Sequence, residues 1–208
     1  MNFFNRLTQD RLMHRALPRT LAAFFALAIL SWSVNAAAID GYKDRRGIFV
    51  GVGLGGGLGA VDVDEANVRT GFEEGGELGL HLSGIVGGGW TKNIIFGTEM
   101  NWWIRTTQVG DQSLNHQHLS FNAVTNVFIL SGLYAEAGLG LAYAIFDTSI
   151  PGGMRHYREM GMAAKLGAGF EYFINGTVAP GFHVGYTRHF YQRAEFDTFM
   201  AGVTLRWY

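Results

Sequence analysis

Residues Gly47 to Gly59 read GIFVGVGLGGGLG, and half of this otherwise greasy stretch is glycine, a residue that weakens both helices and strands. Gly51, Gly53 and Gly56 satisfy the G-x-G-x-x-G spacing of a dinucleotide-binding turn. That turn needs a helix opening directly after the glycines, and the residues that follow, AVDVDEANVRTGFEEGG, are a polar, acidic loop. With a period of two the stretch sorts cleanly. Ile48, Val50, Val52, Leu54 and Leu58 fall on one face; Phe49, Gly51, Gly53, Gly55, Gly57 and Gly59 fall on the other. It is a strand with one greasy and one bare face.

The same alternation recurs through the rest of the chain in segments that count as eight strands. Apolar faces carry Leu78, Leu80, Leu82 and Val86, then Phe96, Met100, Trp102 and Ile104, then Leu119, Phe121, Val127 and Ile129. Leu133, Leu139, Leu141, Tyr143 and Ile145 mark the fifth strand, and Met160, Met162, Leu166, Phe170 and Tyr172 the sixth. Phe182, Val184 and Tyr186 follow, then Phe199, Val203, Leu205 and Trp207. Connections alternate long and short: 61–75, 91–93, 109–116, 131–132, 147–158, 175–176 and 191–195. That spacing predicts an all-β fold, an eight-stranded antiparallel up-and-down barrel with turns at one end and loops at the other. Pro180 is expected low in the seventh strand, at a bulge, because proline removes a ladder bond.

Two rivals fail. Val127 to Phe146 carries one charge in 20 residues, as a membrane helix would, but Ser131-Gly132 breaks it and Glu136 lies near its middle. A soluble barrel would carry charge densely on its outer face. Here the face opposite the apolar one holds Glu77, His81, Glu99, Asn101, Arg105, Asn122, Asn126, Glu136, Lys165, Glu171, His183 and Arg206, too few to coat a soluble exterior and right for a narrow polar lumen. Apolar-face aromatics fall at two levels, Trp90, Phe96, Tyr172, Phe182 and Trp207 near the turns and Trp102, Phe121, Tyr143, Phe190 and Phe199 near the loops, as interfacial girdles do. The fold is therefore transmembrane.

The first forty residues differ in kind. Arg6, Arg11, Arg15 and Arg19 precede the apolar run LAAFFALAIL, with Ala36, Ala37 and Ala38 behind it. This reads as a secretory signal peptide over 1–38, with the barrel over 39–208; the apolar run is short for a retained anchor. Without those 38 residues the chain keeps 12 basic and 16 acidic side chains, and no basic tract points to nucleic acid. It has no cysteine, so disulfides do not stabilise it.

On these patterns residues 47 to 208 resemble the OmpA- and OmpX-like eight-stranded barrels of Gram-negative outer membranes. The closing GVTLRW, with Gly202, Leu205 and Trp207, looks like the strand-end signal read by that family's assembly machinery, although Met200 replaces a usual polar residue and Tyr208 follows the last outward aromatic. The resemblance implies insertion in the bacterial outer membrane, contact with its lipids and lipopolysaccharide, engagement of the assembly machinery, and functions carried on exposed loops.

An eight-stranded barrel has an interior that side chains fill. The glycine face of the first strand then gives room to bulky inward residues: Trp103, Phe128, Tyr134, Phe146 and Phe173. Glu99, Glu136 and Glu171 are expected at similar heights as one charge layer, neutralised by Lys165, His183 and Arg206. The reading is a structural or surface-interaction barrel without catalysis, cofactor or metal, with a small-solute pore as the alternative. A lipid A-modifying barrel enzyme is the less favoured one. The late His-x-Ser pair of the lipid A deacylases has His189-Phe190-Tyr191 as its nearest counterpart, without the serine. His116, His118 and His156 read as loop histidines, without a fixed ligand spacing. Arg188, with Arg158 and Arg193, is placed where arginines meet lipid phosphates or simply snorkel. Acidic residues Asp62, Asp64, Glu65, Glu73 and Glu74 make the first loop a solvated one, with cation bridging to lipopolysaccharide as its functional alternative.

Overall fold

The structure, a computed structural model, describes residues 45–63, 76–109, 112–130, 132–148, 156–174, 176–192 and 194–208. The expected signal peptide, Arg193 and the acidic residues from Asp64 to Glu74 lie outside them. Eight strands follow one another: β1 (Gly47–Val63), β2 (Glu77–Gly89), β3 (Ile94–Val109), β4 (Gln112–Phe128), β5 (Leu133–Thr148), β6 (His156–Glu171), β7 (Val178–Phe190) and β8 (Ala194–Trp207). Each is antiparallel to its neighbours, and β8 returns to β1 to close the barrel. Closure leaves no sheet edge unpaired, which a bilayer requires because it offers no water to bond exposed backbone groups.

The register sets the slant. Val50 pairs with Val86, and following the partners round through Thr98, Ala123, Leu139, Ala164, Arg188 and Asp197 arrives at Ala60, ten residues further along β1. That stagger tilts eight strands by roughly 35–45° and leaves an interior filled by side chains. Alternation then places every second residue outside: Val52, Leu80, Phe121, Leu139, Met162 and Val203 are exposed on the wall, whereas Phe49, Ile95, Trp103, Val124, Tyr134 and Phe196 are buried within. The exposed row is the face that meets lipid.

Two positions explain the glycine. A Cβ on Gly59 would lie 2.6 Å from the Phe196 ring and 2.8 Å from that of Trp103, and one on Gly57 would lie 2.8 Å from Trp103. Trp103 occupies that bare wall and donates its Nε1–H to the Gly57 carbonyl at 2.9 Å. Gly202 of β8 faces Gly55 so closely that a Cβ there would stand 2.5 Å from the Leu54 carbonyl oxygen. The seam that closes the barrel thus depends on paired small residues.

The structure corrects two expectations about the wall. β4 begins at Gln112, so His116 and His118 are inward strand residues and are buried, not loop residues; only His156 is exposed, beside Asp147 at 2.7 Å. β3 and β4 run on past the apolar band, where backbone pairing continues without hydrophobic side chains to announce it. Pro180 sits at the third position of β7 but without a bulge, since the β7–β8 register runs through it unbroken. Its carbonyl accepts the Tyr172 N–H at 2.9 Å, so its nitrogen faces the same neighbour, just beyond the last β6 pair, where the ladder has ended.

Candidate functional site

The lumen is the chemically distinctive part of the molecule, and it is built in levels. Nearest the short turns, Glu171 of β6 accepts hydrogen bonds from three directions. Arg45, just before β1, donates Nε–H at 2.7 Å; Arg206 of β8 donates Nη1–H at 3.2 Å; and Tyr208, just after β8, donates its hydroxyl to both carboxylate oxygens at 2.9 Å. Burial and the adjacent Glu171 carboxylate raise the Tyr208 phenol above its ordinary pKa, so it remains a neutral donor. Arg206 also donates through Nη2 to Asn126 and to Tyr134, each at 3.2 Å, and the Arg45 guanidinium lies 3.7 Å above the Phe128 ring. Phe49 stacks on Tyr208 with ring centres 5.4 Å apart, and with Ile95, Phe128 and Tyr134 it forms an apolar cluster.

Above this level Lys165 is held between Glu99 and Glu136. Its Nζ bonds to Glu99 and lies 2.8 Å from Glu136, while His183 Nε2 approaches the same Glu136 oxygen at 3.3 Å. Asn101 Oδ1 adds a longer contact to Lys165 at 3.4 Å. A cavity of about 10 Å³ lies between the two levels, with Glu99, Glu136, His183, Tyr134 and Arg206 on its wall, room for about one water. The six residues expected as one charge layer thus form two groups: Glu99, Glu136, Lys165 and His183 in one, Glu171 and Arg206 in the other. Glu136 pairs across with Gly167, four residues above Glu171 on β6, and that offset separates them.

Nearest the long loops the filling changes to rings. Trp103, His118, His189, Phe196 and Tyr191 pack together, with His118 lying flat on Phe196 at 3.5 Å between centres. Phe146 tilts against His116 with centres 4.1 Å apart. His189 lies in the lumen, with Nδ1–H donated to the Phe196 carbonyl at 3.0 Å. On the outer wall Arg188 pairs with Glu195 and lies 3.8 Å from Asp197, so its nearest partners are carboxylates of the protein itself.

Arg45 and Tyr208 were not among the lumen residues expected from the sequence, yet parity marks both. Arg45 shares the odd phase of Phe49 on β1, and Tyr208 shares the even phase of Arg206 on β8. Each simply continues its strand's inward face past the last ladder pair. Gly202 stands at the β1–β8 seam, and Leu205 and Trp207 lie on the outward face of β8, Trp207 exposed at the short-turn end.

A closed wall that is apolar outside and charged inside defines an integral outer-membrane β-barrel. The chain belongs to the family described as outer membrane protein beta-barrel domain, whose model matches residues 24–206. No curated protein matches the chain in sequence. Among solved structures it is similar to Ail, the attachment invasion locus protein of Yersinia pestis, in complex with the heparin analogue sucrose octasulfate. That match has 13% identity and a TM-score of 0.54, covering 77% of this chain and 99% of that one. It is also similar to OprG of Pseudomonas aeruginosa, at 14% identity and TM-score 0.46 over 80% of this chain and 99% of that one. Neisserial surface protein A shares 11% identity at TM-score 0.47, over 76% of this chain and 95% of that one. At 13% identity the likeness to Ail is one of fold alone. The protein is a bacterial outer-membrane barrel.

Proposed function

We propose that this barrel is a closed scaffold that acts at the cell surface through its loops and outer wall, without catalysis. The filling of the lumen carries the reading. Lys165, Tyr134, Trp103 and Phe196 are each no more than 2% exposed, and they belong to successive levels of the interior. Side chains at every described level occupy the width that eight strands enclose, which leaves the outer surface and loops to meet other molecules. Lipopolysaccharide and neighbouring lipids are the partners that the exposed apolar wall suits, and the Gly202, Leu205 and Trp207 end of β8 suits recognition by the assembly machinery. An export signal over residues 1–38 belongs to the same reading.

His189, the nearest counterpart of a deacylase histidine, bonds a backbone carbonyl inside the barrel and does not face lipid, which supports a role other than lipid hydrolysis. The test is reconstitution of the full chain into planar bilayers at pH 7.5, after a heat-modifiable shift in gel mobility has established that the barrel is folded. A near-silent bilayer is expected. Large, long-lived conductance steps would replace the scaffold with a small-solute channel.

A further inference from the structure

The two ends of the lumen are closed by different chemistry. At the short-turn end the filling is held by ion pairs of Glu171 with Arg45 and Arg206. At the long-loop end it is held by packed rings. His118 lies flat on Phe196, its Nδ1 is 3.0 Å from the Tyr191 hydroxyl, and its ring is tilted by 43° to that of His189 with centres 5.7 Å apart. The His189 ring is itself parallel to that of Tyr191 to within 3°, with centres 6.3 Å apart. Tyr191 lies in the β7–β8 connection at the long-loop end, outside the strands, and burial keeps its phenol neutral by raising its pKa. Among the described residues no carboxylate forms an ion pair with His118 or His189.

Among the described residues, the groups that face these two rings are few. β2 brings His81, and Glu77, which is taken up by Arg105 of β3; β4 brings His116; β6 brings Glu159 near Tyr191 and, lower down, Lys165. Glu159 accepts the Gln192 backbone N–H at 2.6 Å. β8 brings Asp197, on the far side of the wall, where it accepts the Tyr186 hydroxyl at 2.8 Å. Among the described side chains β1 offers glycine there, at Gly57 and Gly59, and β5 offers Phe146. Two imidazolium rings so placed would repel each other with no anion between them, in surroundings that hydrate a charge poorly.

We propose that the ring cluster of His118, His189 and Phe196 is an acid-sensitive plug at the outer mouth of the barrel, closed while both imidazoles are neutral and released when protons charge them. The inference rests on the closed-barrel reading above. An imidazole with room and water titrates near pH 6.5, whereas in this cluster a second charged ring would stand 5.7 Å from the first. Closure is therefore fully favoured above about pH 6.5. Below it, each ring shifts the balance toward opening by up to about tenfold per pH unit, and two rings by up to about a hundredfold. Long loops lie on the extracellular side of such barrels, so the plug faces the medium.

The experiment is one-sided acidification of the full-length barrel, inserted in one orientation in lipid vesicles. With the short-turn side held at pH 7.5 and the loop side taken from 7.5 to 5.0, iodide added on the loop side is expected to quench severalfold more of the buried tryptophan fluorescence, while the Lys165 and Glu171 levels below keep the bilayer silent. Acidifying only the short-turn side is expected to do nothing. In the His118→Gln, His189→Gln double variant, folded by its heat-modifiable mobility, the gain in quenching is expected to vanish. A flat response in the wild type, an equal response from the short-turn side, or a full response in the folded double variant would each overturn the plug. The wild-type comparison of the two sides needs no variant to fold. Large conductance already present at pH 7.5 on both sides would instead overturn the closed-barrel reading.

Discussion

Arg45 places its Nε 2.7 Å from Oε1 of Glu171, although the two residues are 126 positions apart. The chain enters the barrel at Arg45 and leaves it at Tyr208, and both ends converge on this one carboxylate. Glu171 thereby ties the strand that starts the barrel to the strand that completes it. Removing it strands Arg45 and Arg206 without their anion. Glu171→Gln is expected to lower stability by about 3–5 kcal/mol, whereas Tyr208→Phe, which deletes only a hydrogen bond to a charged acceptor, is expected to lose about 1.5–3 kcal/mol. Urea unfolding of the barrel in lipid vesicles, followed by tryptophan fluorescence, measures both.

Lys165 is the cation of the middle level, and it serves Glu99 and Glu136 together. Lys165→Met leaves two carboxylates facing each other in a space with about 10 Å³ free, and a loss of about 3–5 kcal/mol is expected. The ring level above and the ion-paired level below remain, so the variant is expected to stay electrically silent in a planar bilayer at neutral pH. A stability equal to wild type would show that this level is hydrated well enough to do without its cation.

Trp103 and the glycines of β1 fill one space between them. Gly59→Val is expected to cost about 1–3 kcal/mol or more by driving a branched side chain against Trp103 and Phe196, and Trp103→Ala about 3–5 kcal/mol by leaving a cavity. Because each change relieves part of the other, the double variant is expected to be more stable than the sum of the two losses implies. Additive losses in the unfolding cycle would mean that the two sites do not share their space.

Val52 stands on the outer wall, 56% exposed to what surrounds the barrel, between Gly84 of β2 and Leu205 of β8. Val52→Arg is expected to cost about 2–4 kcal/mol in a bilayer, as arginine does near the midplane of a barrel's lipid face, whereas Val52→Leu is expected to be close to neutral. The next residue inward offers no such tolerance. A Cβ on Gly51 would lie 2.9 Å from the Arg206 side chain, so even Gly51→Ser is expected to disturb the lower ion-paired level. Folded fraction on heat-modifiable gels ranks the three.

The sequence by itself determined the strands and their two faces. Val50, Val52 and Leu54 outside and Phe49, Gly51 and Gly53 inside follow from a period of two, a property each strand carries locally. Parity also reaches Arg45 and Tyr208, which continue the inward faces of β1 and β8. Partnership among inward residues is another matter, since it depends on how far each strand is shifted against the next. Only the closed register, advancing ten residues in one circuit from Val50 to Ala60, sets Glu171 below Glu136 and divides one expected charge layer into two. The same holds for His118. Its parity pointed inward, but its burial against Phe196 required β4 to pair with β5 beyond the apolar band and β8 to rise beside it, which backbone hydrogen bonding around the closed wall decides and side-chain hydrophobicity does not record.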